Sequence, residues 1–134
     1  MDEKKLNGRI IFGGNVMAIE DDDVFDKIKQ IGKSSGVVPI FLREAGMTAP
    51  NTIGCYKIYF NDSLKFIGRA EKGLRWFFVC LYNGTLADKS YIAKTVYRNR
   101  DKIKVAWVEV PTKLQCKEIQ AELIEKLKPE WNNV

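Results

Sequence analysis

Tyrosine hydroxyls and a surplus of cations are the reactive groups this chain offers. Tyr56, Tyr59 and Tyr82 carry polar aromatic tips. Residues 54–134 hold fifteen Lys and Arg against nine Asp and Glu, whereas residues 1–53 hold seven against eight. The positive surplus therefore lies in the later residues, where it suits a phosphate backbone, since such contacts are electrostatic and carry no sequence information. Lys57, Arg69, Lys72 and Arg75 crowd one stretch, and Lys94 and Arg98 follow on a second, which makes these six the candidate DNA-binding residues. Histidine is absent, and Cys55, Cys80 and Cys116 are an odd number with no CxxC pair. That argues against a zinc site and against His-based catalysis, and it reads as three reduced, mostly buried thiols. Two other stretches look chemical and are not. The acidic run at residues 20–23 is explained by helix capping and dipole compensation rather than by a metal. Gly32-Lys33-Ser34 has the end of a phosphate-binding loop, but Lys27 stands where that loop needs its first glycine, and the segment follows a helix rather than a strand.

The elements that position these residues can be read from periodicity. Residues 55–60 put Tyr56, Ile58 and Phe60 on one face and Cys55, Lys57 and Tyr59 on the other. Asn61-Asp62-Ser63 supplies turn chemistry, and Leu64, Phe66 and Ile67 resume an apolar run that stops at Gly68, so residues 54–68 predict a β-hairpin. The dense run from Trp76 to Tyr82 predicts a buried element, a helix or a strand, which pattern alone does not separate. Residues 88–102 predict a second helix, with Asp88 as its cap, and residues 103–110 a strand. Residues 113–127 predict an amphipathic helix with Leu114, Ile119, Leu123 and Leu127 inward. Earlier in the chain, Arg9–Phe12 and Val16–Ile19 predict short strands, and Val24, Phe25, Ile28 and Ile31 a helix stripe. Residues 37–45, broken by Pro39, predict an edge strand, and residues 46–52 a loop into the hairpin. No linker composition separates the halves. The expectation is one domain over 1–134, with 1–53 an N-terminal extension packed on a core at 54–134.

The hairpin resembles the signature of the GIY-YIG nuclease superfamily. Gly54-Cys55-Tyr56 stands in the place of Gly-Ile-Tyr, and Phe66-Ile67-Gly68 in the place of Tyr-Ile-Gly. Residues 122–132 are similar to the closing helix of that family and its Pro-x-aromatic-Asn ending. The resemblance covers residues 53–134, and it implies an α+β fold with a small central antiparallel sheet flanked by helices. It also implies a site: two hairpin tyrosines, an arginine on the first helix, a glutamate on a later helix holding a divalent metal, usually magnesium, and an asparagine near the end. Phosphodiester hydrolysis builds charge on non-bridging oxygens, which a metal and a cation stabilise.

Carried over residue by residue, Tyr56 and Asn132 match. The second tyrosine falls at Phe66, which has no hydroxyl. The arginine falls at Trp76 or Phe77, with Arg75 beside it, and the glutamate falls at Gln120, a neutral amide and a poor ligand for a hard cation. The family-site positions are therefore Tyr56, Phe66, Arg75, Gln120 and Asn132. The expected function is a GIY-YIG-like nucleic-acid-binding protein, with DNA as partner, no cofactor and a degraded nuclease site. An active endonuclease would need Mg2+, with Glu118 or Glu122 as metal ligand and Arg69 or Arg75 as the cation. A protein-interaction module or inhibitor is the third reading. With 46% hydrophobic residues the chain can fill a core. It has no membrane-length apolar run and no signal-peptide pattern, so the expectation is a soluble, intracellular protein.

Overall fold

The structure, a computed structural model, describes residues 9–12, 15–18 and 38–133. Strands β1 (Arg9–Phe12) and β2 (Asn15–Ala18) form a two-stranded antiparallel sheet. The second strand begins one residue earlier than expected, at Asn15, which pairs with Phe12. The expected helix over residues 24–31, the acidic run before it and Gly32-Lys33-Ser34 lie outside the described residues.

The hairpin forms as its pattern dictates. Strand β4 (Gly54–Phe60) pairs antiparallel with β5 (Ser63–Ala70) across a two-residue turn. Asn61 and Asp62 both take positive φ, 56° and 61°, the backbone a primed turn requires. Ser63, expected in the turn, starts β5. Strand β6 (Ile103–Glu109) pairs antiparallel with the other side of β4. Beyond it lies β3 (Ile40–Phe41), so the sheet runs β3-β6-β4-β5, with β5 at one edge.

The region around Pro39 therefore differs from expectation. The edge strand is two residues long, and a helix, α1 (Leu42–Thr48), follows it at once. Residues 46–48, read as loop, complete that helix, whose Leu42 and Ala45 are buried. Helix α2 (Leu74–Asn83) covers the aromatic run and ends at Gly84 in the left-handed conformation. Its first N–H groups find acceptors in the preceding loop: Leu74 donates to the Thr52 carbonyl, Arg75 to the Pro50 carbonyl and Trp76 to Asn51 Oδ1. Helix α3 (Tyr91–Arg98) is shorter than the expected 88–102, and a 3-10 turn (Arg100–Lys102) completes that stretch. Ser90, not Asp88, caps α3, accepting from the Ala93 N–H. Helix α4 (Lys113–Leu127) is capped by Thr112. Its Ile119 and Leu123 are buried, but Leu114, expected inward, is 65% exposed in the first turn, before the helix closes on the sheet. A final 3-10 turn (Glu130–Asn133) follows Pro129.

Two apolar cores sandwich the sheet. On one face Cys55, Ile67, Ala106 and Val108 meet Cys116, Ile119 and Leu123 of α4. On the other, Tyr56, Ile58, Val105 and Trp107 meet Leu42 of α1, Leu74 and Phe78 of α2, and Val96 of α3. Because β4 is covered on both faces, its alternation separates two cores rather than inside from outside. All three cysteines are unbridged and buried, and Cys55 Sγ lies 3.1 Å from Cys116 Sγ between β4 and α4. Burial first, then the neighbouring sulfur, pushes the Cys55 thiol well above its usual range. No helix among the described residues is long and apolar enough to cross a membrane.

Two hairpin glycines are fixed by space. A Cβ on Gly54 would overlap the Val108 carbonyl oxygen and the Leu74 side chain, and one on Gly68 would overlap the Tyr56 hydroxyl and Phe66. Gly54→Ala should therefore destabilise by about 1–3 kcal/mol, and by more than Gly68→Ala, because a β6 carbonyl yields less readily than a side-chain tip. Chemical denaturation of both variants checks the order, and a Gly54→Ala protein as stable as the parent would contradict it. Asp62→Gly should stabilise by about 0.5–1 kcal/mol by relieving its positive φ. The ion pair it removes, Lys104 Nζ to Asp62 Oδ1 at 3.8 Å, is exposed and contributes little. A lowered urea midpoint would count against this.

Candidate nucleic-acid groove

The free edge of β5 is where the candidate site residues meet. A groove of about 640 Å³ runs past it, lined by side chains from β4, β5, α2, α3 and α4. Tyr56, Phe66, Trp76, Phe77, Arg69 and Gln120 all line it. The sandwich explains how residues from opposite faces share one groove. Tyr56 and Phe66 belong to the α2–α3 side of the sheet and Gln120 to the α4 side, and only around an edge strand can the two sides communicate.

The floor is aromatic. The Tyr56 ring stands 4.9 Å from Phe77, 5.9 Å from Phe78 and 6.3 Å from Phe66, centroid to centroid. Tyr56 is only 4% exposed. Burial, reinforced by Cys55 and Cys116, pushes its phenol well above the usual range, so it stays protonated at physiological pH and offers a neutral hydroxyl. Trp76 is the open part of this floor, 42% exposed, with Lys72 Nζ 5.5 Å from its ring centroid.

Above the floor is a chain of polar contacts. Arg69 Nη1 donates to Gln120 Oε1 at 2.6 Å, and Arg69 Nε donates to Glu71 Oε2 at 2.7 Å. Gln120 Nε2 donates to the Ile67 carbonyl at 3.2 Å. Asn132 takes both backbone groups of the same residue: its Oδ1 accepts from Ile67 N at 2.8 Å and its Nδ2 donates to Ile67 O at 3.0 Å. Asn132 thus stands in for the missing neighbour strand along the edge of β5, and its amide is spent on the backbone rather than turned into the groove.

Other sequence candidates lie elsewhere. Lys57 is 2% exposed and packs on the α4 face of β4, so it is no surface contact for DNA. Arg75 turns from the groove and donates through Nε to the Ala49 carbonyl at 2.8 Å, tying α2 to the end of α1. Lys94 and Arg98 are exposed on α3 but do not line the groove, and neither do Glu118 and Glu122. The sequence reading missed Ser90, Glu71 and Lys113, which do line it, as does Lys89 just ahead of α3. Lys89 and Lys113 sit at the starts of two helices, a position that periodicity does not mark. Among the described residues the groove thus carries four cations, Arg69, Lys72, Lys89 and Lys113, against one carboxylate, Glu71. Among the described residues no cluster of three or more His, Cys, Asp or Glu could hold a metal ion.

No protein-family model matches the sequence, and neither does any curated protein. Solved structures do match. The GIY-YIG N-terminal endonuclease domain of UvrC from Thermotoga maritima, bound to magnesium as its catalytic divalent cation, is 21% identical with a TM-score of 0.54. The match covers 68% of this chain and 94% of that one. A Tyr-to-Phe variant of that domain gives 22% identity and a TM-score of 0.54, over 68% and 94% of the two chains. An Asn-to-Ala variant gives 20% and 0.52, over 67% and 92%. The element order, the antiparallel sheet and these matches together establish that the chain has a GIY-YIG-like α+β fold.

Proposed function

We propose that this protein binds nucleic acid through the β5-edge groove and that its nuclease site is degraded. The contact that carries this reading is the hydrogen bond between Gln120 and Arg69. Gln120 stands where the nuclease resemblance places a metal-binding glutamate. Its one acceptor oxygen already receives a guanidinium, and its amide nitrogen is committed to Ile67. A divalent cation there would meet a neutral donor and an adjacent positive charge, so the residues present do not fit magnesium. Phe66 cannot relay a proton, and Trp76 and Phe77 cannot neutralise charge on a phosphoryl oxygen. What persists is a cationic rim suited to phosphates. The endonuclease identity of the structural neighbours supports nucleic acid as the partner class. On this reading residues 1–134 form one domain, with the N-terminal residues as its extension.

The purified protein should leave supercoiled plasmid intact with either Mg2+ or Mn2+, as gel mobility would report. Robust nicking would overturn the degraded-site reading. Retention on DNA should fall by roughly 100-fold between 50 and 200 mM salt if four rim cations meet phosphates. No retention on DNA even at the lower salt would indicate the protein-interaction reading instead.

One observation favours an active enzyme: Arg69 and Glu71 place a guanidinium and a carboxylate in the groove that Tyr56 lines. They are paired with each other, and Glu71 is the groove's sole carboxylate among the described residues. If cleavage occurs, Arg69→Ala and Glu71→Gln should each abolish it while Glu118→Ala and Glu122→Ala leave it intact. Full activity in Glu71→Gln would remove this second assignment.

A further inference from the structure

We propose that the groove accepts the unpaired bases of a single strand, with a base stacked on Trp76 and the flanking phosphates on the rim, rather than the backbone of an intact duplex. The inference rests on the nucleic-acid reading above and names its substrate class. It begins from what replaced the charged parts of the site. The floor's accessible carbon comes from the half-buried Phe66, Phe77 and Ile92, backed by the buried Tyr56 and Leu81. Such a floor has affinity for a flat π-surface and little to offer a phosphate.

A duplex hides its base faces in the stack and shows only edges and phosphates. An unpaired strand shows faces, and every base has one, so the contact would tolerate sequence. Trp76 is placed for it. The ring is 42% exposed at the groove wall, and Lys72 lies over it at 5.5 Å. A base sharing the ring would leave its own phosphate beside that ammonium. Lys89 and Lys113 make no ion pair among the described residues, so both rim charges remain available to the next phosphates. The size is also suitable, because 640 Å³ lies within the range of small-molecule pockets and exceeds what a single phosphate contact uses.

Fluorescence anisotropy with three labelled probes tests the proposal: a thymine single strand, an abasic strand of equal length, and a duplex. The thymine strand should bind roughly 10-fold or more tightly than either of the others, and Trp76→Ala should lower its affinity by roughly 10- to 100-fold, to the abasic level. Trp76→Phe should retain most of the preference. The double variant Lys89→Ala/Lys113→Ala should weaken all three probes together. Circular dichroism confirms that each variant is folded, which is expected for exposed positions. Equal binding of thymine and abasic strands, or a thymine affinity unchanged in Trp76→Ala, would overturn the base-stacking proposal and leave the nucleic-acid reading standing. Failure of the parent protein to bind any of the three would overturn both.

Discussion

The peptide of Ile67 is the point on which the site depends. It lies on the outer side of an edge strand, where its N–H and C=O have no strand partner. Asn132 satisfies both, and Gln120 shares the carbonyl. An unpaired edge would be a place for misregistered pairing. Here one side-chain amide closes it and fixes the terminal 3-10 turn against the sheet. The second amide links the same peptide to α4, and through its oxygen to Arg69. The guanidinium is therefore held at the groove by the same backbone group that terminates the sheet.

The cations in this arrangement lie along the lining rather than at its centre. In a phosphoryl-transfer site the cation and the metal converge on the reacting phosphate, because that is where negative charge develops. This groove has ring faces at its centre, while Lys72, Lys89 and Lys113 stand along its lining. The consequence is a separation of tasks. The rim offers positive charge, and the floor offers apolar carbon and rings. Tyr56 belongs to the floor as well, since its phenol is buried among Phe66, Phe77 and Phe78 and stays neutral.

The hairpin, the helix order after it and the closing helix were legible in the sequence because each has its own period or turn. Asn61 and Asp62 tolerate positive φ, and Gly54 and Gly68 stand where no Cβ fits. Other features depend on contacts far along the chain, which no local pattern encodes. Lys57 alternates correctly away from Tyr56, yet the position is buried, because α4 covers the face that a two-layer sheet would have left to solvent. Arg75 stands next to the aligned position but is claimed by the Ala49 carbonyl at the end of α1, a helix hidden behind Pro39 in the sequence. Asp88 looked like a cap, but Ser90 is two residues closer to the residues α3 buries. Lys89 and Lys113 became groove residues only because α3 and α4 begin on either side of the β5 edge.

Gln120 is held by a network rather than by one contact. A glutamine can accept from Arg69 and donate to Ile67 at the same time. A glutamate at this position could accept from Arg69, but its second oxygen would face the Ile67 carbonyl and repel it. An amide also needs no counter-charge, so Glu71 is left to pair with Arg69 Nε. A carboxylate here would thus set two acidic groups competing for one guanidinium and still leave Phe66, Trp76 and Phe77 around the centre. The amide fits the surroundings it has, and those surroundings are fitted to holding Arg69 in place rather than to holding a cation beside it.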